Sequence, residues 1–278
     1  MSIWIICSLF LLVILISSVG SISGVGGGVL YVPLLLVFFS SSILELEKIK
    51  FISTFLVLIS SLFNVLIEIF KKRFSYIILL IGITFSVPTI FLGNWINSLL
   101  ANDNYLKIII LVMLTIVTIL LIVNEYYFSK NKLKQKDILE KNKWMYFQYN
   151  EFKLNWLFLS TIALLSGLIT SLTGMGGGPI LMPLLLMIFK LDVKNSTPIS
   201  HTLIAISSFI TLFFNFELFS DQTIMLNLVL PLSIAAIIGA ISAIYLKRII
   251  KKEIIIKWIL IILIWASEIK MLIDIINS

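Results

Sequence analysis

The chain has 278 residues, of which 60% are hydrophobic and only 13% are charged. Soluble proteins carry about 25% charged residues on average, so this composition excludes a soluble globular protein. A single cysteine, Cys7, and a single histidine, His201, exclude an intramolecular disulfide and the clustered ligands of zinc, iron–sulfur or haem sites. We therefore expect no cofactor and no metal. The net charge of +7 has no soluble basic face to lie on, so we expect the lipid bilayer rather than nucleic acid as partner.

Apolar segments follow one another along the chain and predict an all-α polytopic membrane protein. Most have about 20 residues or more, enough to cross a hydrocarbon core of about 30 Å. Two segments have only 13 residues each, and both directly follow a glycine cluster, so they are expected to be half-helices, short tilted spans or re-entrant segments. The ten segments are 3–22, 28–40, 51–70, 76–98, 105–128, 154–172, 178–190, 199–219, 223–246 and 254–276.

The two halves of the chain repeat one another. At an offset of 150 residues, the sixteen residues of 21–36 match those of 171–186 at nine positions, including four glycines and one proline. Two shorter matches support the repeat: 59–61 with 206–208, and Asn64 with Asn215. Five segments per half place the halves in opposite orientations, so we predict two inverted repeats, as in many secondary transporters.

A lysine-rich polar stretch separates the halves. We predict a first transmembrane repeat over 1–128, a basic cytoplasmic linker over 129–153 and a second repeat over 154–278. The first segment lacks the positive residues that begin a secretory signal, so it is expected to stay in the mature protein. With ten crossings, 17 of the 21 Lys and Arg residues fall on one side. The positive-inside rule makes that side cytoplasmic, with both termini outside the cytoplasm of a bacterial-type inner membrane.

Glycine clusters interrupt both halves at membrane depth. A break in a helix there is costly unless it is buried or lines a cavity, because lipid offers no partner to backbone N–H and C=O groups. The helix that starts after each cluster directs N–H groups and a positive dipole end at a site suited to an anion. The alternative is that the glycines permit close helix packing, and both roles are compatible. The residues expected to bind substrate in and around the clusters are Ser21, Ser23, Gly24, Gly26, Gly27, Gly28, Ser171, Thr173, Gly174, Gly176, Gly177 and Gly178.

A second group of polar residues lies at the start of segment 199–219. His201 is an ionisable residue within an apolar helix, and such residues are functional candidates because their burial is costly. We expect it to carry a coupling proton or to bind the anion, with Thr202 beside it. It aligns with Thr54 in the first half, so the two half-sites are not chemically identical. Val29, which stands where the second half has Pro179, adds a further difference.

The repeated pattern Ser/Thr-Gly-x-Gly-Gly-Gly followed by a proline, the short segment after it and the basic central loop resemble the TauE/SafE-type sulfite exporter family. The resemblance covers essentially the whole chain. It implies a permease for sulfur-containing or carboxylate anions, with site residues around Gly24 to Gly28 and Gly174 to Gly178.

The expected function is therefore secondary transport of a small anion, such as sulfite or a sulfonate, by alternating access between the two broken helices. We do not expect an enzyme. An intramembrane hydrolase is a weaker alternative, with Ser23 or Ser171 as nucleophile and His201 as base. The other alternative functions are an anion channel and a passive membrane scaffold. A homo-oligomer is compatible with the sequence.

Overall fold

The computed structural model describes residues 3–39, 44–99, 103–123, 145–149, 152–189 and 191–249, together with 258, 261–262, 264–265, 268–269 and 272–273. The described part is almost entirely helical. Its helices are α1 (Ile3–Ser23), α2 (Gly28–Phe38), α3 (Leu46–Phe70), α4 (Tyr76–Leu99), α5 (Asp103–Val123), α6 (Trp156–Thr173), α7 (Gly178–Ile188), α8 (Val193–Phe214), α9 (Gln222–Ile224) and α10 (Leu230–Ile249).

Six helical stretches are long and apolar enough to cross a membrane. They are Trp4–Ser23, Leu46–Phe70, Tyr76–Leu99, Trp156–Thr173, Val193–Phe214 and Gln222–Lys247, the last of which joins α9 to α10 through a π-helical turn, Met225–Val229. Their outward faces carry exposed leucine, isoleucine and phenylalanine side chains, as a lipid-facing surface requires. The prediction of an all-α polytopic membrane protein is confirmed.

The two segments predicted to be short are α2 and α7, which have 11 residues each. At about 1.5 Å per residue each is about 16 Å long, roughly half of a hydrocarbon core. Each contains a proline, Pro33 or Pro183, five residues after the glycine at which it begins. These two helices therefore reach only part of the way through a bilayer.

A small β-hairpin lies in the region predicted to be a polar linker. Strand β1 (Tyr146–Tyr149) pairs antiparallel with β2 (Phe152–Asn155), which leads directly into α6. The hydroxyl of Tyr149 donates to the carbonyl oxygen of Arg73 at 3.0 Å, so the hairpin is attached to the end of α3. Burial, with the nearby Glu68 carboxylate, raises the pKa of Tyr149 to about 12. Residues 129–144 of the predicted linker lie outside the described residues, and the division into repeats stays a prediction.

Helix pairs in the two halves pack in matching ways. Helix α1 packs along α10, and its counterpart α6 packs along α4. The short helices behave alike, since α2 packs on α3 and α7 packs on α8, while α3 and α8 pack on each other at the centre. Exchanging the two halves reproduces the same set of pairs, which is the result expected of two halves related by a pseudo-two-fold axis.

Candidate functional site

The chain reverses at two glycine junctions, which join α1 to α2 and α6 to α7. Three glycines of each junction have positive φ angles: 78°, 78° and 76° at Gly24, Gly26 and Gly27, and 72°, 79° and 62° at Gly174, Gly176 and Gly177. L-residues with a Cβ adopt this region at a cost, so glycine allows one helix to end and the next to begin within a few residues. The repeated glycine pattern is thus a repeated backbone conformation.

The two junctions touch each other at the centre of the molecule. A Cβ added at Gly28 would overlap the carbonyl oxygen of Met175, and one added at Gly178 would overlap the carbonyl oxygen of Val25. The contact is therefore reciprocal, and only glycine leaves room for it. Close packing, the alternative role considered for these glycines, accounts for Gly28 and Gly178.

Hydroxyl groups on the central helices bind the carbonyl groups that the junctions leave free. Ser53 of α3 donates to the carbonyl oxygen of Gly174 at 2.9 Å, and Ser200 of α8 donates to that of Gly24 at 2.5 Å. Each junction is thus held by a helix from the other half. Because a buried carbonyl without a partner is destabilising, these two bonds stabilise the broken helices.

A cavity of about 600 Å³ lies beside the second junction. It is formed where the start of α3, the end of α4, the end of α6 and the end of α8 meet. Its polar lining includes Lys50, Thr54, Asn97, Ser171, Gly174 and Thr211. The cavity is partly open and lies toward the side of the molecule where α3 begins, and the charged residues of its lining include Glu47 and Lys50.

Two side chains of the cavity, Thr211 and Asn97, have a polar atom that is available to a ligand. The side-chain oxygen of Thr211, which is only 4% exposed, has no hydrogen-bond partner among the described residues, and neither does the amide oxygen of Asn97. The amide nitrogen of Asn97 donates to the carbonyl oxygen of Ser171 at 2.6 Å. Lys50 supplies a positive charge, and it is 9% exposed. The cavity therefore combines a cation with hydroxyl and amide groups at a broken helix.

The structure places two of the predicted site residues, Ser171 and Gly174, in this cavity. Gly28 and Gly178 pack in the central contact between the junctions, and the other predicted glycines lie against residues of the surrounding helices. On the far side of that contact His201 is fully buried, and its Nε2 atom lies 3.3 Å from the carbonyl oxygen of Ser21. The hydroxyl of Ser21 accepts a hydrogen bond from Asn64 of α3. The other three predicted hydroxyl groups bond within their own helices or turns: Ser23 to Gly20, Thr173 to Ile169 and Thr202 to Pro198.

The arrangement gives no support to the hydrolase alternative. The hydroxyl of Ser23 donates to the carbonyl oxygen of Gly20, and that of Ser171 donates to Leu168. The Nε2 atom of His201 faces a backbone carbonyl rather than either serine. The two proposed nucleophiles are thus engaged elsewhere than with the proposed base.

Sequence reasoning missed most of the lining residues, among them Lys50, Thr54, Asn97 and Thr211. Lys50 falls just before segment 51–70, so the sequence indicates only a charge on the side opposite the linker. The others stand in apolar segments as isolated polar residues, a signal shared by many residues that only pack. One indication was available, since Thr54 aligns with His201 across the repeat.

The whole-chain comparison agrees with the repeated junctions and the helical architecture. A family model described as "Sulfite exporter TauE/SafE" matches residues 9–271. The chain belongs to the TauE/SafE family. This TauE/SafE protein is therefore a multi-pass membrane protein of a transporter family. No curated protein and no solved structure matches it significantly.

Proposed function

We propose that this TauE/SafE protein is a secondary transporter that binds a small anion in the cavity beside the second glycine junction. The observation that carries the proposal is the position of Lys50, a cation 9% exposed in a polar cavity between helices long enough to span a membrane. Ionisable residues at such positions are costly and mark substrate pathways in membrane proteins. An anion in the cavity is attracted by the positive charge of Lys50 and accepts hydrogen bonds from the groups around it.

The chemistry of the lining favours an oxyanion. The hydroxyl of Thr211 has no partner among the described residues and can donate to one of the several acceptor oxygens that a tetrahedral or pyramidal oxyanion offers. The hydroxyls of Thr54 and Ser171 also line the cavity, although in this conformation they donate to the carbonyl oxygens of Lys50 and Leu168. The family description adds sulfite, and the cavity also has room for an organic sulfonate. We propose sulfite or a small sulfonate as the substrate class.

Alternating access between the two halves is the proposed mechanism. The matched helix pairs and the reciprocal junction contact support it, because they describe two similar halves that meet at one central point. The membrane potential is a sufficient energy source for export, since an anion that leaves a negative interior gains about 2.3 kcal/mol per 100 mV. Under the predicted orientation, in which the lysine-rich linker is cytoplasmic, the cavity faces the outside of an inner membrane.

The test is anion uptake into proteoliposomes that contain the purified protein. We expect saturable uptake of radiolabelled sulfite or a sulfonate, accelerated by the same anion inside, which is the counterflow typical of a carrier. The Lys50→Gln variant removes the charge at nearly constant size, and we expect its uptake to fall at least tenfold. The matched control is Lys48→Gln, because Lys48 makes only surface ion pairs, 3.7 Å from Glu45 and from Asp221.

Two results would contradict the proposal. Equal uptake by Lys50→Gln and Lys48→Gln would remove the cavity from the transport pathway. Conductance that does not saturate and shows no counterflow would instead favour the channel alternative.

A further inference from the structure

The open cavity has a structural counterpart on the other side of the glycine junctions. Two reciprocal contacts fix the correspondence between halves. In the first contact, Ser53 bonds to Gly174, and Ser200 bonds to Gly24 in the same way. Ser200 is therefore the counterpart of Ser53, an offset of 147 residues between α3 and α8. Gly174 is the counterpart of Gly24, an offset of 150 residues between the junctions. In the second contact, Thr89 of α4 lies against Gly167 of α6, and Gly239 of α10 lies against Ser17 of α1. Because Ser17 and Gly167 are 150 residues apart, Gly239 is the counterpart of Thr89, and α4 corresponds to α10 at the same offset.

These offsets assign a counterpart to each polar residue of the cavity. The counterpart of Thr54 is His201, that of Lys50 is Thr197, that of Thr211 is Asn64, that of Ser171 is Ser21 and that of Asn97 is Lys247. The counterparts come together in the structure as well. The amide nitrogen of Asn64 donates to the hydroxyl of Ser21 at 2.8 Å, and His201 lies 3.3 Å from the carbonyl oxygen of the same serine.

Four of the five counterparts form a polar cluster that is closed to solvent. Ser21, Asn64, Thr197 and His201 are at most 8% exposed. Lys247 is exposed, yet it lies close enough to His201 for the two to interact electrostatically. The cluster thus has hydroxyl, amide and imidazole groups with a cation beside it, the same chemistry as the cavity. Lys50 and Asn64 are fourteen residues apart on α3, which places the two groups about 21 Å apart along that helix.

Buried groups in and beside the cluster lack partners in this conformation. The Nδ1 atom of His201 has no hydrogen-bond partner among the described residues, nor have the hydroxyl oxygens of Ser61 and Ser196. A buried polar atom without a partner is destabilising, and few occur in native proteins. These atoms would gain hydrogen-bond partners if a ligand bound to the cluster in another conformation of the protein. In the open cavity the hydroxyl of Thr211 is unpartnered in the same way.

We propose that Ser21, Asn64, Thr197 and His201 line a second oxyanion-binding chamber, which is closed here and opens toward the opposite side of the membrane when the cavity closes. The proposal rests on the proposed transport function. In this second chamber the imidazole of His201 occupies the position that corresponds to the hydroxyl of Thr54 in the open cavity. An anion released from one chamber is therefore bound by similar groups in the other.

The test measures from which side of the membrane a cysteine in each chamber reacts. Cys7 is exposed and is the only cysteine, so Cys7→Ser gives a cysteine-free background. Asn64→Cys and its counterpart Thr211→Cys are then added singly. Each is treated with 2-sulfonatoethyl methanethiosulfonate, an impermeant sulfonate, in right-side-out and in inside-out vesicles. Lys72→Cys and Glu45→Cys, both at exposed positions outside the cavity and the cluster, report that each face is reachable.

We expect Asn64→Cys and Thr211→Cys to react at least tenfold faster from opposite sides. Modification of both from the same side, or of Thr211→Cys alone, would overturn the second chamber. Thr197→Cys is a second variant of the closed chamber in case Asn64→Cys does not fold.

The labelling and uptake assays fail independently. If Lys50→Gln transports normally while the two cysteines react from opposite sides, the proposed substrate site is wrong and the second chamber stands. If uptake depends on Lys50 but both cysteines react from one side, the reverse holds.

Discussion

The hydroxyl groups of Thr211 and Thr202 are expected to have different roles, the first in ligand binding and the second in stability. Its hydroxyl has no protein partner among the described residues and faces a polar cavity, whereas the hydroxyl of Thr202 donates to the carbonyl oxygen of Pro198 at 2.8 Å. Both side chains are on α8, and both are at least nine-tenths buried. Substitution by valine preserves the shape of each and removes only the hydroxyl.

We expect Thr211→Val to raise the KM for the anion several-fold while the melting temperature stays the same or rises slightly, because the lost hydroxyl has no partner among the described residues. Thr202→Val is the matched control, and we expect it to lower the melting temperature and to leave KM unchanged. Uptake kinetics and thermal unfolding in detergent measure the two effects. An unchanged KM for Thr211→Val would take its hydroxyl out of the binding site.

At the scale of elements, the two junctions share a backbone but differ in what surrounds it. Gly27 and Gly177 both have left-handed φ angles at the start of a short helix. A Cβ at Gly27 would lie 3.1 to 3.2 Å from the ring and hydroxyl of Tyr31. A Cβ at Gly177 would overlap the hydroxyl of Ser166 and lie 2.8 Å from its carbonyl oxygen. A side chain can adjust more easily than a helix backbone.

We therefore expect Gly177→Ala to lower the melting temperature more than Gly27→Ala. Both variants lose about 1–2 kcal/mol to the left-handed conformation, and Gly177→Ala adds an overpacking cost of about 1–3 kcal/mol. Unfolding monitored by tryptophan fluorescence in detergent gives the order. A larger decrease in melting temperature for Gly27→Ala would contradict this expectation. It would mean that the backbone around Ser166 moves to accommodate the new methyl group at position 177.

The helices and junctions were predictable because glycine spacing and hydrophobic length are local signals. The partners within the cavity were not, because they depend on how four helices pack. Asn64 illustrates the limit. Sequence matching paired it with Asn215, but the serine bonds of α3 and α8 fix an offset of 147, which makes Thr211 its counterpart. The β-hairpin was missed because the many lysines of the linker masked its alternating aromatic residues.

At the scale of the whole molecule, the distribution of charge predicts orientation. The basic turn after α3 and the hairpin before α6 carry lysines on the side assigned to the cytoplasm, while α3 begins on the other side. Glu45 and Lys153 are exposed residues on these two sides. Neither belongs to the cavity or to the closed cluster.

In intact cells that make the Cys7→Ser background, we expect Glu45→Cys to react with a bulky impermeant maleimide added outside. Lys153→Cys should react only after the membrane is permeabilised, because positively charged loops are retained in the cytoplasm. Gel-shift labelling measures both. The opposite pattern would invert the orientation and would make the open cavity face the cytoplasm.

The bonds that hold the junctions also impose an order on biosynthesis. The carbonyl of Gly174 meets a serine made 121 residues earlier, so its partner is already present when it emerges. The carbonyl of Gly24 depends on Ser200, which is made 176 residues later. At about 5–20 residues per second, the nascent first half waits roughly 9–35 s for that serine. A ribosome that stalls before α8 therefore leaves in the membrane a broken helix whose polar backbone still lacks this partner, a feature by which quality-control proteases can recognise it.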